Sequence, residues 1–347
     1  MLKKLVNEAR FTLTITTEGP VLVRSGHATL VGPDMTPVRT FRNGDWQVYL
    51  PGSSLKGVFR SHLEKICRTL KSNPVVVCNP FWMLKDKAQY NNGQLVCPDY
   101  LEISCGDKFE RRSKEKFEKD NRHWAHAKED ITSEMAYSQA CPICRLFGST
   151  EFIGRVNIND AYLVNDSDNN RTEERDGVGI DRLSGGSFGG ALFNLQVVAS
   201  KVEFKTEIHL RNFEVWQLGM LLVMVQDMAD GLVRVGSGKS RGLGKITGKV
   251  DEVVIYHLGA LSSKKPEEVW GLGKFLGDGT YGTQPNDSLA LAHAPQEDVG
   301  LIRRKTLFTK DSLTDLTEQA TRAFISRLQN WSVPTEMQFN HLQFSQG

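Results

Sequence analysis

Residues 201–210 read KVEFKTEIHL and alternate without a break. Val202, Phe204, Thr206, Ile208 and Leu210 point one way, while Lys201, Glu203, Lys205, Glu207 and His209 point the other. Side chains that repeat every second residue make a strand with one dry face and one wet face. The next segment, Phe213 to Ala229, is apolar at 213, 216, 220, 221, 224 and 228, the spacing of a largely buried helix.

The same patterns place the rest of a core. Phe11 to Thr17 reads as a first strand, Arg155 to Val164 as a second and Lys245 to Tyr256 as a last. In PGSSLKGVFRSHLEKICRTL, Ser53 is a suitable N-cap, and Leu55, Val58, Phe59, Ile66 and Leu70 keep helical spacing. The order is strand, helix, strand, strand, helix, strand. That predicts an α+β chain with a ferredoxin-like (RRM-like) βαββαβ core. Its first half lies in residues 1–70 and its second half in 155–256, with a polar, cysteine-rich insertion at 71–154. An extension at 257–347 ends in a helical pattern through Leu313, Leu316, Ala320, Phe324 and Leu328. The apolar stripe of that helix is expected to cover an adjacent subunit.

Several function classes drop out. No apolar run approaches the ~20 residues that span a bilayer, so no membrane association is expected. Met1-Leu2-Lys3-Lys4-Leu5 lacks the apolar centre of a signal peptide, which points to the cytoplasm. The formal net charge is only +2, so a nucleic-acid surface must come from local clusters. VRVGSGKSRGLGKI, residues 233–246, imitates a phosphate loop of an NTPase but fails as one. Val233 stands where the first glycine belongs, and a helix precedes the segment while a strand follows it, the reverse of the required order. What remains is a glycine loop carrying Lys239, Ser240 and Arg241, suited to a ribose-phosphate backbone.

All six cysteines fall between positions 67 and 144. Cys141-x-x-Cys144 is half of a structural zinc site. The other half comes from Cys78, Cys97 or Cys105; Cys78 and Cys105 are preferred, with Cys97 the alternative to Cys105. Cys67 falls on the apolar face of the first helix and reads as core, and His123 and His126 are fallback ligands. Zinc would hold together an insertion with few apolar residues.

Four separated motifs, YLPGSSLKGVFRSHLE (49–64), CPICRLFGS (141–149), GVGIDRLSGGSFGGALFNLQVV (177–198) and VGSGKSRGLGKI (235–246), together resemble the RAMP superfamily. Within it they look like the backbone subunits of type III CRISPR effector complexes, and the cysteine pair is more similar to the D and E branches. The resemblance covers roughly residues 10–256.

It implies a chain that stacks with other effector subunits along a CRISPR guide RNA and meets a complementary target RNA. A β-hairpin thumb, Gly177 to Val198, would break the guide–target duplex, with Arg182 pairing to a phosphate and Phe188 wedging against a base. Ser53 and Ser54 at the first helix N-terminus, with Lys56 and Arg60 on one helix face, would contact the guide. Members that cut RNA carry an aspartate between the first strand and first helix. Asp34 falls at that place, Asp45 ranks below it, and Arg39 and Arg42 add charge nearby. The implied reaction is attack by a 2′-hydroxyl on its own phosphate, assisted by Asp34 and by Mg2+ or another divalent cation. An inert scaffold of the same kind is one alternative. A guide-processing endoribonuclease using His27 or His62 is another.

Overall fold

The computed structural model describes residues 3–26, 32–80, 104–108, 132–259 and 263–332, with strand pieces at 89–91, 94–96, 111–112 and 126–127. The fold mixes helices with antiparallel sheets. Strand β1, Asn7–Thr17, lies at the centre of the main sheet and buries Ala9, Phe11, Leu13 and Ile15 completely. The hairpin β2 (Arg39–Arg42) and β3 (Asp45–Val48) precedes α1, Gly52–Leu70. In the insertion, α2 is Ser133–Gln139 and α3 is Pro142–Phe147.

The second predicted strand is two short ones, β4 (Val156–Ile158) and β5 (Tyr162–Leu163). The chain turns away at 159–161 to meet the start of α1. There Gly52 donates its amide to Asp160 Oδ1 at 2.7 Å, and Leu50 and Ala161 exchange backbone hydrogen bonds. This corrects the expected cap: Pro51 holds the N-cap position, and Ser53 is an exposed residue of the first turn. The Asp160 carboxylate, 108 residues away, supplies the acceptor that Ser53 does not.

A long hairpin follows, β6 (Thr172–Ile180) with β7 (Ser187–Val198). Next come β8 (Glu203–Arg211), α4 (Val215–Ala229) and β9 (Ile246–Leu258). The alternation of KVEFKTEIHL is the observed burial of β8: Phe204, Thr206, Ile208 and Leu210 are buried, Lys205 and Glu207 exposed. β8 pairs with β1 (Ile15 opposite Phe204) and with β4 and β5 on its other side. β9 pairs with the opposite edge of β1. Helices α1 and α4 contribute Leu55, Phe59, Leu63, Met220, Leu221 and Met224 to the core that includes the dry side of this sheet.

The C-terminal extension does not wait for a neighbour. After β10 (Glu268–Trp270) and β11 (Ser288–Ala290), β12 (Gln296–Val299) and β13 (Arg303–Thr309) join the main sheet, whose order becomes β12-β13-β9-β1-β8-β4. Helix α5, Lys310–Gln329, then packs along α4. Its stripe Leu316, Ala320, Phe324 and Leu328 is buried within this chain, each large side chain contributing about 1.5–3 kcal/mol. The two helices touch at Gly219, where a Cβ would lie 2.0 Å from the Ala320 carbonyl oxygen. Among the described residues, no helix is long and apolar enough to cross a membrane.

Candidate metal centre and nucleic-acid interface

Cys141 is the N-cap of α3, in extended conformation with Pro142 behind it, so its thiol and that of Cys144 face one point. Cys144 donates its amide to Cys141 Sγ at 3.4 Å. Cys78, in a buried stretch that follows α1, brings its sulfur to 3.6 Å from both Cys141 and Cys144. Cys105 opens the helical turn Cys105–Lys108 and accepts the Cys141 amide at 3.4 Å. All four sulfurs lie within 4.8 Å of one another and all four residues are buried. Zinc–sulfur bonds of ~2.3 Å in a tetrahedron set sulfurs about 3.8 Å apart, and a set of four soft thiolates suits zinc. Cys97 and His123 lie outside the described residues, as does the side chain of His126. Cys67 is core, as expected, and burial pushes its thiol up to about 12.

Arg60, expected on RNA, meets the cysteine cluster. Its guanidinium donates to Cys144 Sγ at 3.2 Å, to the Gly148 carbonyl at 3.2 Å and to Glu64 Oε1 at 3.1 Å. It ties α1 to the cysteine cluster, as partners outside the ligand set commonly do. Lys56 remains as the cation of this helix face, half-buried, its ammonium held below the ordinary value by burial and then by Arg60. Ser53 is exposed and Ser54 half-buried at the helix end.

At the far end of β1 a second, smaller core gathers Leu22, Leu195, Val197 and Leu243, with Met35 and Phe193 against it. These residues come from four places: the segment after β1, the loop before β2, the root of the β6–β7 hairpin, and the glycine loop. Asp34 is exposed beside this core, and its Oδ2 accepts the Asn194 amide of β7 at 2.9 Å. Met35 donates to the Asn194 carbonyl and accepts from Gln196, so the aspartate loop is stitched to the hairpin root.

The hairpin is longer than the predicted 177–198, pairing from Thr172 opposite Val198 outward. At its tip, Asp181 accepts from the amides of Leu183 and Ser184 and from the Ser184 hydroxyl, and Gly185 takes a positive φ of 70°. Arg182 is exposed there, as are Phe188 and Leu183, the last 98% accessible. Gly177 lies under the Phe193 ring.

In the glycine loop, Lys239–Arg241 form one helical turn between Gly238 and Gly242, both left-handed. All three residues are exposed, and the Arg241 guanidinium lies 5.4 Å from the centre of the Phe193 ring. Gly236 packs so closely on the Leu22 carbonyl oxygen that a Cβ would sit 2.3 Å from it.

The β2–β3 hairpin was legible only as a loop. Its turn, Asn43-Gly44, has φ of 54° and 84°, the two-residue turn that this dipeptide favours. Arg39 donates to the Trp46 carbonyl and to Asn169 Oδ1, while Arg42 lies 4.5 Å over the Tyr162 ring. Asp45 accepts from the Trp46 amide and from Asn169. Sequence reasoning missed Asp160, Asn169 and Asp227, acidic or amide groups whose partners are distant in the chain. Asp227 binds His62 Nε2 at 2.6 Å. His27 lies outside the described residues.

Apart from the four cysteines and Arg39 on β2, the predicted site residues form two groups. Asp34, Arg182, Phe188, Lys239, Ser240 and Arg241 belong to the hairpin and the loops at its root. Ser53, Ser54, Lys56 and Arg60 belong to α1, with Arg60 turned to the cysteines. No curated protein matches this chain. A family model described as the RAMP superfamily matches residues 14–247, from within β1 to the start of β9.

Proposed function

The chain belongs to the RAMP superfamily, and on that premise we propose that it is a backbone subunit of a type III CRISPR effector complex. In this reading it binds guide RNA, holds complementary target RNA against its hairpin, cleaves that target and works in the reducing cytoplasm. The superfamily includes CRISPR-associated proteins and some endoribonucleases. We read the core as ferredoxin-like because its strands stand in the order β9-β1-β8-β4, last-first-third-second, with α1 and α4 as the two crossing helices.

One observation carries the proposal: Asp34 is fastened to the root of the projecting hairpin through the Asn194 amide. A strand bent by the exposed Phe188 and Leu183 would pass a carboxylate held at a fixed distance from the bend. RNA brings its own nucleophile. The 2′-oxygen attacks the adjacent phosphorus, the bond to the 5′-oxygen breaks, and the products are a 2′,3′-cyclic phosphate and a 5′-hydroxyl. Bending aligns the attacking and leaving oxygens, which supplies much of the rate. Asp34 would accept the 2′-hydroxyl proton with the oxygen that Asn194 does not occupy. Lys239 and Arg241 would hold the backbone at the hairpin root, and Ser53, Ser54 and Lys56 would hold the guide.

Two metals fit differently. Zinc would sit on Cys78, Cys105, Cys141 and Cys144 and serve stability alone. Among the described residues those cysteines form the one group of three or more metal-binding side chains. A divalent cation bound at Asp34 would draw ligands from RNA and water and would stabilise charge on the phosphate.

The test replaces Asp34 with Ala and with Asn in the assembled, guide-loaded protein. Target cleavage is expected to fall at least about 100-fold in both variants while guide binding is unchanged. Because Asn keeps an acceptor for the Asn194 amide, full cleavage by Asn with loss in Ala assigns Asp34 to loop anchoring. Undiminished cleavage in both removes Asp34 from catalysis, and its absence in the unmodified protein leaves the scaffold reading. Cutting of precursor guide RNA by the chain alone would favour the processing reading.

A further inference from the structure

Helix α1 has a second face, turned toward the glycine loop. Val58, Ser61, His62 and Lys65 fall at i, i+3, i+4 and i+7, so they form one stripe. Lys65 is nine residues from Lys56, about two and a half turns at ~3.6 residues per turn, which puts the two lysines on opposite sides of the helix. On the Lys65 side, Leu232, Val233, Arg234 and Lys239 close a concavity of about 240 Å³. Three cations from two segments, one hydroxyl and one imidazole surround it. Asp227, outside the lining, is bound to His62 at 2.6 Å. Neither Lys65, Arg234 nor Lys239 makes an ion pair among the described residues.

Arg234 donates to the Lys239 carbonyl at 2.9 Å, which ties the two ends of the loop's cationic stretch together. Burial and then the charge of Lys65 hold the Lys239 ammonium below its ordinary value. Two lysines and an arginine facing one small space whose lining holds no acid repel one another, and an anion between them relieves that repulsion. The Ser61 hydroxyl and the ammonium groups are donors, the set that a phosphate oxygen accepts from.

We propose that this pocket between α1 and the glycine loop binds one phosphate group, delivered by the backbone of an RNA strand. It lies behind α1 relative to Lys56, so one strand would be gripped on two sides of the same helix. This inference rests on the reading that the chain binds RNA, and the free anion supplies an independent arm.

The experiment titrates single-stranded RNA onto the full chain and onto a Lys65→Ala, Arg234→Ala double variant across a range of salt. Melting with and without inorganic phosphate is recorded for both. Loss of two phosphate-facing cations is expected to weaken RNA binding at least about tenfold and to lower the salt slope by about one to two. Equal melting temperatures and zinc content in the absence of phosphate show that the variant folds. If the unmodified chain binds RNA and the variant matches it in affinity and slope, the RNA assignment is overturned while RNA binding by the chain stands. If the unmodified chain binds no RNA, the proposed function fails, and the anion arm decides the pocket. Stabilisation by phosphate that the variant lacks then assigns it to a free phosphate; no such stabilisation overturns the pocket altogether.

Discussion

A methyl group added at Gly52 would lie 2.2 Å from the Ile158 carbonyl oxygen and 2.9 Å from backbone atoms of Asn159. Helix propensity argues the other way, because alanine is favoured over glycine by about 1 kcal/mol inside a helix. The clash is with backbone that is itself hydrogen-bonded, so it wins. Gly52→Ala is expected to destabilise the protein by roughly 2–3 kcal/mol in a denaturant titration, and a variant at least as stable as the parent would refute this packing. Asp287 makes a different prediction. Its carboxylate accepts the amides of Val215 and Gly273, yet burial, and then the neighbouring Glu214, raise its pKa from 3.8 to about 7. The unfolded chain releases this proton near pH 4 while the folded protein keeps it to about 7. Between those values the unfolded state binds fewer protons, so this group makes stability fall as pH rises. Asp287→Asn should flatten the dependence of melting temperature on pH from 4 to 7, whatever it does to the absolute value. An unchanged slope would show that Asp287 ionises normally.

Among the elements, those with a complete periodic signal were legible. β8 announced its buried face residue by residue, and α4 its near-total burial. The break between β4 and β5 was not legible, because it is made by Asp160 reaching Gly52, a contact between distant segments. The β2–β3 hairpin had its signal in Asn43-Gly44, but alternation in the four-residue arms is too short to read. Spacing placed Lys56 and Arg60 on one helix face without saying what that face meets, and for Arg60 it is a cysteine sulfur. The pair Cys141 and Cys144 declared half of the metal centre, while Cys78 and Cys105 could be fixed only by folding. That centre joins three segments, two of which carry only short helices. One zinc per chain is expected by elemental analysis, and a strong chelator should lower the melting temperature in parallel with zinc release. Melting that ignores complete removal of the metal would contradict a structural role.

For the whole molecule, the extension changes what the core can do. Residues 257–347 were separable in the sequence because the clear motifs stop before them, yet β13 runs along β9 from Glu252–Thr309 to Leu258–Arg303, and α5 closes over α4. The long edge that β9 would otherwise present is covered. The outermost strands of the sheet are then β4 and β12, of three and four residues. At the two edges of the main sheet, among the described residues, a second copy finds no extended row of free amides and carbonyls to continue. Open-ended growth by extending the main sheet strand by strand is thereby closed. Copies set in a row along another molecule would then be counted by its length and not by the reach of the sheet.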